Sequence, residues 1–202
     1  MQQMFFKKGL YSLLSITLVL SFLAGCANTD KKPIIVAMKT QHAAPVLTAL
    51  HQAEYQKALG LMKAKSFDKA FTIFTDLTTF YPNLAGAYVN LALIYKAKSD
   101  EEKAEKNISR ALDINPNNVD ALIQLAAFSQ KKGEFNKVEQ YLLTAEAADR
   151  SSDTVQYNLA VLYELYLQQY DDAIDHYENY IALTSNDDKE IVKRWVQLLE
   201  RK

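Results

Sequence analysis

From residue 46 onward the apolar positions of the chain recur with a period of 34 residues. Ala58, Ala92, Ala126 and Ala160 stand 34 apart, and Leu91, Leu125 and Leu159 precede the last three. A second small-residue column runs through Ala70, Ala104, Val138 and Ala173 at intervals of 34, 34 and 35. Large residues keep the same phase in Phe74, Ile108, Leu142 and Tyr177, and in Phe67, Phe135 and Tyr170, while Pro82 and Pro116 close the first two units. A period of this length with two small-residue columns predicts two helices per unit. The small residues lie where backbones approach, and the large ones fill the layer between helices. A single such pair cannot bury its apolar face, so stability has to come from stacking.

The helix ends follow from local chemistry. In Ser99-Asp100-Glu101-Glu102 a serine precedes a glutamate by three, which predicts Ser99 as the cap of the second helix in unit two. Asn83, Asn118 and Asp153 are the expected caps of the following first helices. Gly133 is expected to take the left-handed conformation that ends the first helix of unit three. Unit four has one extra residue, expected within Leu167-Gln168-Gln169. Beyond it, Ser185-Asn186-Asp187-Asp188 reads as a cap for a last helix within 186–202. There Ile191, Trp195, Leu198 and Leu199 form an apolar stripe opposed by Lys189, Glu190, Lys193, Arg194 and Glu200. Such a helix would cover the open apolar end of a stack, with Trp195 against unit four.

These columns resemble the tetratricopeptide repeat (TPR) from residue 51 to about 185. The resemblance implies an all-α fold: a right-handed α-solenoid of about four TPR helix pairs over 46–185, plus a C-terminal capping helix over 186–202. It also implies that the first helix of each pair lines a concave groove that binds other proteins. On that register one column reads Gln56, Asn90, Gln124 and Asn158, four amides one repeat apart that can donate to and accept from a peptide backbone. An amide at this place also suits the joining of adjacent helices. Beside it run Tyr55, Val89, Ile123 and Tyr157, then Leu59, Leu93, Ala127 and Val161. The candidate peptide-binding groove is therefore Tyr55, Gln56, Asn90, Gln124, Tyr157, Asn158 and Val161. The family's basic clamp for a C-terminal carboxylate is missing: the positions flanking the amide column hold Gln52, Gly86, Asp120 and Thr154 on one side and apolar or aromatic residues on the other. Six of the 12 tyrosines fall between Tyr157 and Tyr180; Tyr163, Tyr170 and Tyr177 are expected in the core and Tyr166 at the surface.

The first thirty residues have a different character. Lys7 and Lys8 precede an uncharged run from Gly9 to Thr29 rich in leucine, the anatomy of a secretory signal. It ends in Leu23-Ala24-Gly25-Cys26, which resembles the bacterial lipoprotein box and implies a signal peptide over 1–25 and lipidation of Cys26. An uncleaved membrane span and an ordinary cleaved signal are the alternatives for a run of this length. Ala27, where an inner-membrane lipoprotein of enteric bacteria has Asp, implies anchoring in the outer membrane, facing the periplasm of a Gram-negative cell. Residues 26–45, with Pro33, Pro45 and the short apolar stretch Ile34 to Met38, read as a lipid-anchored flexible tether.

Composition narrows the function. Acidic and basic residues number 24 and 23, and removal of residues 1–25 would leave a net charge of −3, so no electrostatic pull toward nucleic acid is expected. Five glycines and four prolines suit helices far better than a sandwich or barrel. One cysteine rules out an internal disulfide and a four-cysteine zinc site. His42, His51 and His176 are scattered, no Gly-rich phosphate loop or His-Glu-x-x-His run occurs, and Asp172 with His176 reads as a local pair on one helix face. No enzyme activity, metal, cofactor or small-molecule substrate is expected. The expected partners are the membrane, through the lipid, and proteins of the cell envelope. The expected role is a scaffold or adaptor; the alternatives are a pilotin-like assembly factor for a pilus or secretion channel, or an accessory of a TonB-type energy-transducing complex.

Overall fold

Each 34-residue unit folds into a helical hairpin. The computed structural model describes residues 47–201; Cys26, the signal segment and the tether over 26–45 lie outside them. The pairs are α1 (Ala49–Lys63) with α2 (Phe67–Phe80), α3 (Ala85–Ala97) with α4 (Glu101–Ile114), α5 (Val119–Lys131) with α6 (Phe135–Ala148), and α7 (Asp153–Leu162) with α8 (Tyr170–Leu183). A final helix, α9 (Lys189–Leu199), follows. Contacts are dense within each pair and between the second helix of one pair and the next element, α2 on α3, α4 on α5, α6 on α7 and α8 on α9. The described residues form no strand. This is the stacked-hairpin solenoid that the period predicts.

The columns are the core. Ala58, Ala92, Ala126 and Ala160 are at most 3% exposed, and Ala70, Ala104, Val138 and Ala173 at most 4%. Phe74, Ile108, Leu142 and Tyr177 fill the space beside them and are equally buried. Leu77, Ala111, Ala145 and Tyr180 form a further buried column in the same phase. Leu112 packs against two of the three apolar clusters and so links adjacent repeats.

The turn inside each hairpin is also periodic, and here the sequence reading needs correction. Lys65, Ser99, Gly133 and Gln168 all have positive φ, 56°, 62°, 73° and 57° respectively. The amides of Ser66, Asp100 and Glu134 then bond the carbonyls of Leu61, Tyr95 and Ser129, closing the same turn three times. Ser99 therefore does not cap α4: its backbone makes the left-handed turn, and the next residue, Asp100, is the cap, its Oδ1 accepting from Lys103 N at 3.2 Å. Asn118 caps α5 as expected, but Leu84, without a side-chain cap, replaces Asn83 at the start of α3. Ser152 takes the position before α7, which makes Asp153 the first helical residue. Only Gly133 meets the left-handed requirement without strain. Lys65→Gly, Ser99→Gly and Gln168→Gly are each expected to stabilise the protein by about 1 kcal/mol, and Gly133→Ala to cost a similar amount. Urea midpoints of the four variants check this.

The extra residue of unit four lies earlier than its sequence suggests. Tyr163–Leu167 form a π-helical turn directly after α7, and Gln168 keeps the left-handed position of its counterparts. The amide of Gln169 reaches back to Tyr163 O, a span one residue longer than in the other three turns. A wide turn accommodates one residue without breaking the helix.

α9 packs on α8 through Val192, Val196 and Leu199, at most 6% exposed. Of the predicted stripe only Leu199 is buried: Ile191, Trp195 and Leu198 are 46%, 38% and 58% exposed, and the packed face lies one position on from them. Both stripes are apolar, and the smaller β-branched residues fit the closer approach. Trp195 still meets unit four, edge-on to Tyr177 at a ring distance of 6.1 Å. No helix among the described residues is long and apolar enough to cross a membrane.

Candidate partner-binding groove

The first helices α1, α3, α5 and α7 carry the candidate residues at equivalent positions, but their side chains are engaged differently. In the first half, Asn90 is buried and its Nδ2 donates to Gly86 O at 2.7 Å and to the Tyr55 hydroxyl at 3.0 Å. Tyr55 stands edge-on to Phe74, and its hydroxyl lies so close to Gly86 that a Cβ there would sit 2.7 Å away. Burial raises the Tyr55 pKa and keeps the phenol neutral. Tyr55, Gly86 and Asn90 thus form a latch between α1 and α3, the helix-joining use of the amide. Tyr55→Phe removes one hydrogen bond and is expected to cost about 1 kcal/mol in denaturant titration. Gln56 is exposed on α1, and Gln124 accepts from Lys96 Nζ at 3.0 Å.

The second half is more open. Asn158 Nδ2 donates to its own helix at Thr154 O, 2.7 Å away. Asn158 and Val161 line a shallow cavity of about 50 Å³ with Ile123, Ala127 and Gln130. Tyr157 and Val161 also line a larger cavity of about 440 Å³, walled by Glu164, Leu165, Tyr177, Trp195, Leu198 and Leu199. Tyr157 lies between Tyr177 and Tyr180, with ring centroids 6.2 and 5.2 Å away. The Tyr177 hydroxyl donates to Glu164 Oε2 at 2.8 Å, and Tyr180 to Asp188 Oδ1 at 2.8 Å. Burial pushes the Tyr157 hydroxyl up, with the carboxylates of Asp188 and Glu164 adding to it. Burial likewise raises Tyr177, and its bond to Glu164 raises it further. Both phenols therefore stay protonated across the physiological range.

Two of the candidate groove residues, Tyr157 and Val161, border this cavity, and Glu164 and Trp195, which were not candidates, border it too. The signal for Glu164 was the 35-residue interval, because the π turn sets its position. Tyr166 is 40% exposed, as expected, but stacks on Phe135 at 4.5 Å and accepts from Gln130 Nε2. Tyr163 and Tyr177 are buried and Tyr170 is half-buried.

Behind the groove, His176 does not pair with Asp172 as the spacing suggested. Its Nδ1 donates to Oε1 of the buried Gln156 at 2.7 Å and lies 3.8 Å from Glu146, while its ring stacks on Tyr163 at 5.4 Å. Gln156 Nε2 donates to Glu146 at 2.9 Å and the Tyr163 hydroxyl to Glu139 at 2.9 Å. The network ties α6, α7 and α8 together. His51 is committed at the other end, between Thr48 Oγ1 and the Tyr81 hydroxyl. Among the described residues no group of three or more His, Cys, Asp or Glu side chains is placed to share a metal ion.

A family model described as the TT21 fifth ARM repeats domain matches residues 86–201, more than half of the chain. The chain belongs to this family of helical repeats. A relative in Bacillus subtilis (strain 168), the TPR repeat-containing protein YvcD, is 31% identical over 109 residues. That match covers 54% of this chain but 21% of YvcD, so the chain spans about a fifth of its relative's length. A structure titled as the functional characterization of Pseudomonas aeruginosa pilF superposes with a TM-score of 0.65 at 19% identity, covering 75% of this chain and 69% of that one. MamA AMB-1 gives a TM-score of 0.54 at 18% identity over 75% and 81% of the two chains. Together with the stacked hairpins these matches make the chain a TPR-repeat protein, a fold typically used as a non-catalytic surface for binding other proteins.

Proposed function

We propose that the protein is an outer-membrane-anchored lipoprotein that uses the groove of its first helices to hold a segment of another envelope protein in the periplasm, and that it catalyses no reaction. The observation that carries the reading is at the second half of the groove, where Tyr157 and Val161, at recurrent positions, border a cavity large enough for a side chain and Asn158 and Val161 border a smaller one. Tyr55 and Asn90 hold α1 to α3, and the exposed Gln56 extends the surface at its other end. Support for the anchor comes from the sequence: the only cysteine of the chain closes the apolar run at Leu23-Ala24-Gly25-Cys26, and acyl chains there would hold the protein firmly at a bilayer.

A photo-crosslinking side chain placed at Gln124 or Val161 is expected to capture an envelope protein in intact cells, whereas the same probe at Gln140, exposed on α6, does not. Equal labelling from both faces overturns the groove. For the anchor, Cys26→Ser or globomycin is expected to leave uncleaved precursor, and normal processing with retention of the protein overturns lipidation. A pilotin-like role, with a pilus or secretion-channel subunit as the partner, is a second reading. It is favoured by the likeness of the fold to the pilF structure, and the captured protein's identity decides between the two.

A further inference from the structure

The cavity at the end of the groove has an unusual lining. Tyr157 and Trp195 border it with part-exposed rings, each steeply inclined to the buried ring of Tyr177 behind them, at 68° and 64°. Glu164 supplies the one ionisable group of the lining outside the phenols. Its carboxylate is held in place by the Tyr177 hydroxyl, a neutral donor that leaves the negative charge in position. Among the described residues no lysine or arginine pairs with Glu164. Among the described residues the cation–π contacts lie elsewhere, on Phe71, Tyr88 and Tyr95. Asp188, bonded to the Tyr180 hydroxyl next to Tyr157, adds a second negative charge beside the cavity.

We infer that this cavity is a site for a cationic side chain, a lysine or arginine of the segment held in the groove, with the part-exposed rings of Tyr157 and Trp195 beside the charge and Glu164, held by the buried Tyr177, as its counter-ion. Ring faces carry the negative end of the aromatic quadrupole, and a cation partly shielded from water among them is attracted to each. A carboxylate at the same place adds a charge-assisted hydrogen bond that a neutral side chain cannot make. The apolar stems of lysine and arginine match Val161, Leu165 and Leu198, which border the cavity. The inference rests on the groove reading and gives it a sequence preference: the partner segment has a basic residue at the register that meets unit four.

Trp195 is the only tryptophan of the chain, so its emission reports the cavity alone. The full chain in detergent is titrated with a capped tripeptide of arginine between two leucines, and with the same tripeptide carrying citrulline, the neutral isostere. Expected is a saturable emission change with an apparent affinity about tenfold higher for the arginine peptide, a preference that Glu164→Gln reduces to about threefold, the part left to the rings. Isothermal titration calorimetry of Trp195→Leu, a substitution at a part-exposed site that leaves the core of α9 intact, is expected to show weaker binding of the arginine peptide. Equal affinity for the two peptides, no saturable change, or discrimination undiminished in Glu164→Gln overturns the cationic site. If that occurs while crosslinks from Gln124 persist, the groove stands and its cationic pocket falls; loss of those crosslinks instead brings down the groove reading itself.

Discussion

Tyr177→Ala is expected to lower the unfolding free energy by about 3–5 kcal/mol, the usual cost of deleting a large buried ring. Tyr177 is 1% exposed, occupies the large-residue column of unit four, and meets Tyr157 from α7 and Trp195 from α9. Its removal opens a void where three elements meet, and rigid helices on either side limit collapse into it. Tyr177→Phe separates packing from the polar contact: the ring remains, only the bond to Glu164 is lost, and the expected cost is about 1.5 kcal/mol because a half-buried carboxylate can turn to water. Urea denaturation of the two variants checks the order, and equal losses would mean that the hydrogen bond, and not the ring, holds unit four.

Phe74→Ala should cost a similar 3–5 kcal/mol, but at the far end of the stack and with a different signature. Phe74 is fully buried between α1 and α3 and receives the edge of Tyr55. In a stack whose stability is a sum of units and their interfaces, a loss this large in unit one exceeds what one interface with unit two can restore, so the first hairpin unfolds ahead of the rest. Far-ultraviolet circular dichroism is then expected to lose part of the helix signal at lower urea than the Trp195 emission, which reports unit four and α9. Coincident transitions would show that the four hairpins unfold as one cooperative block.

The sequence announces the repeat because burial forces the same residue sizes to recur. An alanine such as Ala104 or Ala160 sits where two backbones leave room for one methyl group, and a ring or branched chain such as Phe74 or Ile108 fills the wider gap beside it. The turns are less legible, because a left-handed residue at a surface costs little enough for Lys65, Ser99 and Gln168 to occupy a place that only Gly133 advertises. In α9 two adjacent stripes are apolar and the pattern alone does not separate them: Val192 and Val196 fit the space against α8, which leaves Trp195 at its edge. Of the candidate site, Tyr157 and Val161 follow from the period. Glu164 and Trp195 do not, since one depends on a departure from the period and the other lies beyond it.

The wide turn at Tyr163–Leu167 has a further consequence. Because it takes up its extra residue between two helices whose core columns keep their places, one added residue changes the surface beside Glu164 while α6 and α9 stay packed on α7 and α8. A repeat protein can in this way vary its specificity one module at a time, by lengthening a turn, without renegotiating the packing that carries its stability.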